Sequence, residues 1–354
     1  MLAHGTRAKL WRLRHKLSNL PDESRLFWRH LNLRRSGRCT VCFGKKLATY
    51  TNQTIAQLPF RFYSCRDCGF IFVLAPDRAV LGEVYEGHSI PDFGEGEEIW
   101  NTHYLRCINK YANGHGKLLE IGFGTGSFLK LAHQDGWEVY GTDLSKPQVE
   151  RARGQLNLPN LSFGTLDEIG YQDEFFDVVA GFNFLEHVPN PREVLEEIRR
   201  ILRPSGVLAV MCPNIAGIYH ALMPEILAEN DPLQISWVPP QHLGYFNKTN
   251  LRMLFESVGF EDIEDASEAM SSLWLQFEPE IGSKATDQKL AALLVQIRAS
   301  SLPKGDSRVA QYGQQIKRLL IERMTWTMLS DLMKFEPHLG AEVGVLLLAK
   351  KPGK

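Results

Sequence analysis

The stretch Lys117-Leu118-Leu119-Glu120-Ile121-Gly122-Phe123-Gly124-Thr125-Gly126-Ser127-Phe128-Leu129 constrains the fold more than any other part of the chain. An apolar run ends in three glycines at alternate positions, and a helical apolar pattern begins directly after them. That order reads as strand, tight loop and helix. Glycine is needed where the backbone takes left-handed angles or lies against a ligand, and the following helix aims its N-terminus at whatever anionic group sits there. A second short strand, Trp137 to Thr142, ends in Asp143. It follows the glycines by about 20 residues, the spacing of a carboxylate that holds a ribose.

The same alternation continues. Helical patterns cover Ile99 to Tyr111, Pro147 to Gln155, Arg192 to Leu202 and Lys248 to Ser257; strand patterns cover Leu161 to Phe163, Phe176 to Phe182, Val207 to Cys212, Phe260 to Ala266 and Glu342 to Ala349. This predicts an α/β domain over residues 98–354 with a Rossmann-like, doubly wound parallel sheet of seven strands. The segment between the last two strands is too long for a plain loop. It reads as a helical insertion over about 268–340, with helices at 287–298 and 309–333, serving as a substrate lid or a subunit interface.

Ahead of that domain stand two C-x-x-C pairs, Cys39/Cys42 and Cys65/Cys68, separated by 22 residues that include the strand-like Pro59 to Tyr63. Four thiolates at this spacing suit a tetrahedral zinc ion, each pair on one tight knuckle and a hairpin between them. Residues 39–75 therefore read as a zinc-ribbon-like module whose Zn2+ is structural, since protein fills all four positions. Cys107 and Cys212 have no partner at metal spacing and read as buried apolar residues. Residues 76–97 form a linker or cap.

The glycine loop is G-x-G-x-G, with Ser127 where a dinucleotide fingerprint wants its third small residue, and Glu120 precedes the first glycine by two. This E-x-G-x-G-x-G pattern resembles the first motif of class I S-adenosylmethionine-dependent methyltransferases. The resemblance runs from Tyr104 to Ala266 through Phe175 to Val179, Leu185-Glu186-His187-Val188-Pro189-Asn190-Pro191, Leu202 to Leu208 and His242-Leu243-Gly244-Tyr245-Phe246. It implies that S-adenosylmethionine is held by Glu120, Gly122, Gly124, Gly126, Asp143, Leu144, Leu166, Asp167, Asn183 and Glu186. Because the sequence reads Thr165-Leu166-Asp167-Glu168, which acid reaches the adenine amine stays open.

Methyl transfer from a sulfonium is an in-line displacement that itself requires no metal, but a hydroxyl nucleophile needs a proton acceptor. His242 is the first candidate, because an imidazole titrates near neutrality. Its segment resembles one in deoxysugar methyltransferases that also carry an N-terminal zinc module. There a histidine, often preceded by glutamate, faces the sugar; here the preceding residue is Gln241, which favours methylation on oxygen over carbon. The resemblance also places His187 beside the methyl group and Tyr85 in a segment closing over the site. For all three the plain readings, packing or capping, stay open. The implied acceptor is a sugar, glycan or related small molecule.

The near-zero net charge of −1 gives no global attraction to nucleic acid, but residues 1–38 carry ten Lys or Arg against Asp22 and Glu23. Leu10, Leu13 and Leu17 recur there at helical spacing. This basic segment reads as a solvated helix or as one that rests on an anionic membrane surface. With no apolar run near the ~20 residues of a membrane span, the expected location is cytoplasmic, with peripheral membrane contact as the alternative. Two rival functions remain: methylation of a nucleic acid or protein held by the zinc ribbon and basic segment, and a non-catalytic scaffold that binds the cofactor. The chain lacks the N-P-P-Y type of motif that base amino methylation would need.

Overall fold

The computed structural model describes residues 38–55, 58–73, 95–112, 114–215, 242–267 and 344–353. All but Ile215 belong to one compact unit. The basic segment, Tyr85, the linker and the predicted insertion lie outside the described residues. The cysteine module folds as β1 (Leu47–Ile55), β2 (Leu58–Cys65) and β3 (Ile71–Val73), an antiparallel meander. Its knuckles share one backbone device: the fourth residue after each leading cysteine, Phe43 or Gly69, sits at positive φ. There the amide returns to the leading cysteine's carbonyl, at 3.0 Å for Phe43 to Cys39 and 2.8 Å for Gly69 to Cys65.

The main sheet contains β4 (Lys117–Ile121), β5 (Glu138–Asp143), β6 (Leu161–Phe163), β7 (Phe176–Phe182), β8 (Leu202–Pro213), β10 (Glu261–Asp265) and β11 (Gly344–Lys350). Their order is β10-β11-β8-β7-β4-β5-β6. Strands β4 to β8 run parallel to one another, whereas β11 runs antiparallel between β8 and β10. The seven strands thus form a mixed sheet rather than a wholly parallel one. Central strands buried on both faces read as unbroken apolar runs. Accordingly Val345 to Leu348 are at most 1% exposed, and burying each such side chain contributes about 1.5–3 kcal/mol. Strand β10, Glu-Asp-Ile-Glu-Asp, forms the charged edge.

Helices α1 (Glu95–Tyr111), α2 (Ser127–Gln134), α3 (Lys146–Leu156), α4 (Leu166–Ile169), α5 (Pro191–Ile201) and α6 (Lys248–Val258) complete the described elements, with a 3-10 turn at Leu185–His187. Helix α6 shows why the ends fall where they do: Asn247 and Asn250 accept each other's backbone N–H at 2.9 Å, and Gly259 closes the other end at φ 89°. On α5, Leu195, Ile198 and Ile201 make the buried stripe.

The short strand β9 (Gly244–Tyr245) leaves the main sheet and pairs with β3, so the cysteine module's sheet gains its fourth strand from the catalytic half. This pairing is not apparent in the sequence, where residues 237–246 read as a loop. Arg192 of α5 fastens the same junction. Its guanidinium donates to the carbonyls of Thr40 and Val41 on the first knuckle and to the carbonyl and hydroxyl of Ser257 on α6, while lying 3.9 Å from the Phe43 ring centroid.

Close packing behind the glycine loop sets a testable limit. A Cβ at Gly141 in β5 would meet Leu129, Phe123 and Leu161 at 2.6–2.8 Å. Gly141→Ala is expected to destabilise the protein by about 1–3 kcal/mol through overpacking, read as a lower urea midpoint; an unchanged midpoint would show that these side chains swing aside freely.

Candidate active site

The chain direction across the main sheet reverses at β4, whose following strands build outward to β5 and β6 before the chain returns to β7 on its other side. Ligands collect in the crevice that such a reversal opens at the carboxyl ends of the strands. The loop after β4 holds Gly122, Gly124 and Gly126 at φ 70°, 53° and 77°, angles that glycine adopts without strain. Gly126 starts α2, and a Cβ there would come within 2.5 Å of Leu156. Across the crevice Phe184 covers the first glycine, 3.4 Å from where a Gly122 Cβ would stand.

Asp143 ends β5 beside this loop. Its Oδ2 accepts the Gly124 N–H at 3.0 Å and its Oδ1 accepts the Ser145 N–H at 2.7 Å. Burial pushes its carboxyl pKa upward, and the backbone donors act in the opposite direction. Each carboxylate oxygen has a further lone pair. Leu144, next in sequence, is an exposed large apolar side chain. Leu166 is buried at the start of α4, and the two adjacent acids face different surroundings. Both are exposed, but Glu168 accepts the Thr165 N–H in a capping box. Glu120 is buried among the apolar residues of β4.

The second loop follows β7. Asn183 takes φ 48°, which asparagine tolerates better than most residues, and donates its N–H to the Met211 carbonyl at 2.9 Å. The 3-10 turn then buries Glu186 and leaves His187 half-buried. The Leu243 N–H donates to the Glu186 carbonyl at 2.8 Å, which brings His242 onto the same turn. The two imidazoles lie 4.6 Å apart, nearly perpendicular, and His187 Nε2 is 3.8 Å from Glu186 Oε1. Burial pushes the Glu186 carboxyl pKa up to about 8.

Sequence reasoning marks Glu186 and His187 as neighbours and His242 apart from them; the structure joins the three in one group. It misses the roles of Phe184 in bridging the two loops and of Leu243 in tying His242 to the turn. Neither leaves a mark in spacing, because one acts by ring contact and the other through its backbone. Cys212 is buried beside Glu186, and burial pushes its thiol upward; Cys107, expected to be buried, is half-buried, with its Sγ 3.5 Å from His103 Nε2.

The four module cysteines form a separate cluster. Sγ–Sγ distances are 3.7 Å for Cys39/Cys68 and 3.5 Å for Cys42/Cys65, close to the ~3.8 Å between thiolates 2.3 Å from a tetrahedral zinc. Amides of Val41 and Gly44 donate to the Cys39 and Cys42 sulfurs, each at 3.4 Å. The hydrogen bond from Cys68 holds the Cys39 thiol down at about 6, while burial pushes the Cys42 thiol up to about 11 and the hydrogen bond to Cys39 pushes that of Cys68 upward.

An open α/β sheet with a glycine turn and a ribose-spaced acid at its reversal defines a domain built for a nucleoside-type cofactor. Residues 97–265 match the family model described as a methyltransferase domain. A demethylmenaquinone methyltransferase of Oceanobacillus iheyensis is 30% identical over 189 residues, 47% of this chain and 77% of the relative. A probable S-adenosylmethionine-dependent methyltransferase of Mycolicibacterium smegmatis is 30% identical over 180 residues, covering 50% of this chain and 64% of that one. A ubiquinone biosynthesis O-methyltransferase of Idiomarina loihiensis is 27% identical over 157 residues, 42% and 62% of the two chains. This chain belongs to the class I S-adenosylmethionine-dependent methyltransferase family. It spans less than two thirds of the length of the first curated relatives it matches.

Proposed function

We propose that this protein transfers the methyl group of S-adenosylmethionine to a hydroxyl of a sugar, glycan or related small molecule, and that its four-cysteine module holds a structural zinc ion. The observation that carries the reading is the Glu186–His187–His242 group on the strand end next to the glycine loop. The residues present fit the cofactor. The positive-φ glycines make a cradle that side chains would fill, Asp143 has lone pairs for the ribose hydroxyls, and Asp167 is exposed for the adenine amine. Glu120 would meet the ammonium of the methionine portion, and the N-terminus of α2 would favour its carboxylate.

When bound, the cofactor would supply an electrophilic methyl carbon on a sulfonium, with the neutral thioether as the leaving group for the acceptor oxygen. His242 takes the proton that this oxygen releases when the histidine group binds protons alone. His187 lines the acceptor side, and the turn that both share fixes their approach. Preference for oxygen rests on the absence of an acid at position 241. The I. loihiensis relative is named an O-methyltransferase, which supports the same acceptor atom. The sugar or glycan class rests on the cysteine module preceding the catalytic domain, as in the deoxysugar enzymes that the chain resembles.

Methyl-labelled S-adenosylmethionine and a host extract divided into glycan and small-molecule, nucleic-acid and protein fractions test the reading. Label should enter the glycan and small-molecule fraction, and His242→Ala should lower that rate about 100-fold, the low end for loss of a general base. Label in nucleic acid or protein would overturn the acceptor assignment; a His242→Ala rate equal to wild type would remove the base.

A further inference from the structure

We infer that Glu186, His187 and His242 form a second metal site, which takes a divalent first-row transition cation through two imidazole nitrogens and one carboxylate oxygen. One ligand atom from each residue lies within 4.8 Å of the other two. Tetrahedral ligands at the usual ~2.0–2.2 Å from one ion stand about 3.3–3.6 Å apart, so the widest pair has to close by at most about 1.5 Å. Side-chain rotation supplies that much.

A second observation points to a cation. Glu186 is 1% exposed, and its carboxylate meets only weak partners: the Cys212 thiol, its own backbone amide and His187 Nε2 at 3.8 Å. Its buried neighbour, the Cys212 thiol, is a weak donor. A carboxylate removed from water without strong donors is costly unless a proton or a cation meets it. The two neighbouring imidazoles offer lone pairs to a cation, and the His187 side chain, 23% exposed, leaves a route for the ion to enter. The Leu243 N–H to Glu186 carbonyl bond holds the two contributing loops together before any ion arrives.

The donor set selects among metals. Two imidazoles and a carboxylate suit Mn2+, Fe2+, Co2+ or Zn2+ and leave coordination positions open, whereas Mg2+ favours oxygen ligands and a four-sulfur site favours Zn2+. The consequence for catalysis rests on the methyl-transfer reading: an acceptor hydroxyl in an open position would ionise on the cation, its proton passing to water instead of to His242. Binding of the cation does not depend on that reading.

Mn2+ separates this site from the cysteine cluster, because it is a poor thiolate binder. Full-length protein, with zinc first confirmed on the cysteine module, would be titrated with Mn2+ and the free ion followed by electron paramagnetic resonance. One Mn2+ per chain is expected. Glu186→Gln and, independently, the more exposed His187→Gln should each weaken it by at least about 10-fold, with zinc content and the urea midpoint unchanged to show that the fold persists. No saturable Mn2+ binding, or equal affinity in both variants, would overturn the inference. S-adenosylmethionine binding by calorimetry on the same sample distinguishes the failures: cofactor binding without Mn2+ leaves the methyltransferase reading standing, and Mn2+ binding without the cofactor leaves the metal site standing alone.

Discussion

Replacing Cys65 with serine should strip the metal from the cysteine module and destabilise the whole described unit by at least about 3 kcal/mol, since structural zinc contributes about 10–16 kcal/mol of apparent binding energy to the folded state. In a unit of this size that is a fall in melting temperature of roughly 6–12 °C. The loss should not stay within the module. Strand β3 pairs with β9, and the Val73 N–H donates to the Leu243 carbonyl at 2.8 Å while the Leu243 N–H donates to Glu186. Phe70 of the second knuckle packs on Phe246 at 4.8 Å between centroids, and Phe62 on Tyr245 at 5.8 Å. A disturbed module therefore displaces His242 through its own backbone. Zinc content by atomic absorption, the thermal melt and the methyl-transfer rate should fall together, while S-adenosylmethionine affinity, which depends on the loops after β4 and β5, should change far less. A Cys65→Ser protein that retains zinc and melts like wild type would show that the four sulfurs are not a metal site.

What the sequence discloses and what it hides divide along physical lines. The run from Phe176 to Phe182 coincides with β7 because continuous apolar character is what a strand buried on both faces requires. The glycine loop, Asp143 and the paired cysteines are legible because each imposes a local condition: a left-handed backbone, a fixed reach, a tetrahedral ion. The antiparallel insertion of β11 is not legible, since an apolar strand carries no mark of direction or neighbour. Nor is the β3–β9 pairing, which joins segments about 170 residues apart through main-chain bonds that any side chains permit. Arg192 shows the same limit. In sequence it is one cation on an amphipathic helix; in the fold it satisfies carbonyls on two other elements. Glu186 and His187 are visible as neighbours, but their grouping with His242 needs the Leu243 bond to bring the loops together.

Asp143→Ala should weaken S-adenosylmethionine binding by at least about 100-fold, because two hydrogen bonds from ribose hydroxyls to a charged acceptor contribute about 1.5–3 kcal/mol each. The variant also releases the Gly124 and Ser145 amides that the carboxylate holds at 3.0 and 2.7 Å, so the glycine loop loses its anchor. Asp143→Asn separates these effects: its remaining carbonyl oxygen can hold one amide, but the charge is gone, and an intermediate loss is expected. The sign of the pH dependence follows from the direction of the shift. Burial raises the Asp143 pKa above that of an ordinary carboxyl. The form competent to accept both hydroxyls is the ionised one, so affinity should be full above the raised pKa and decline as pH falls through it, sooner than for an exposed aspartate. Calorimetric titration of wild type and Asp143→Asn across this range should show the decline only in wild type. If Asp143→Ala binds the cofactor with wild-type affinity, Asp143 is a loop anchor and the ribose contact must be sought elsewhere; if both variants weaken but share the wild-type pH profile, the titrating group is not Asp143.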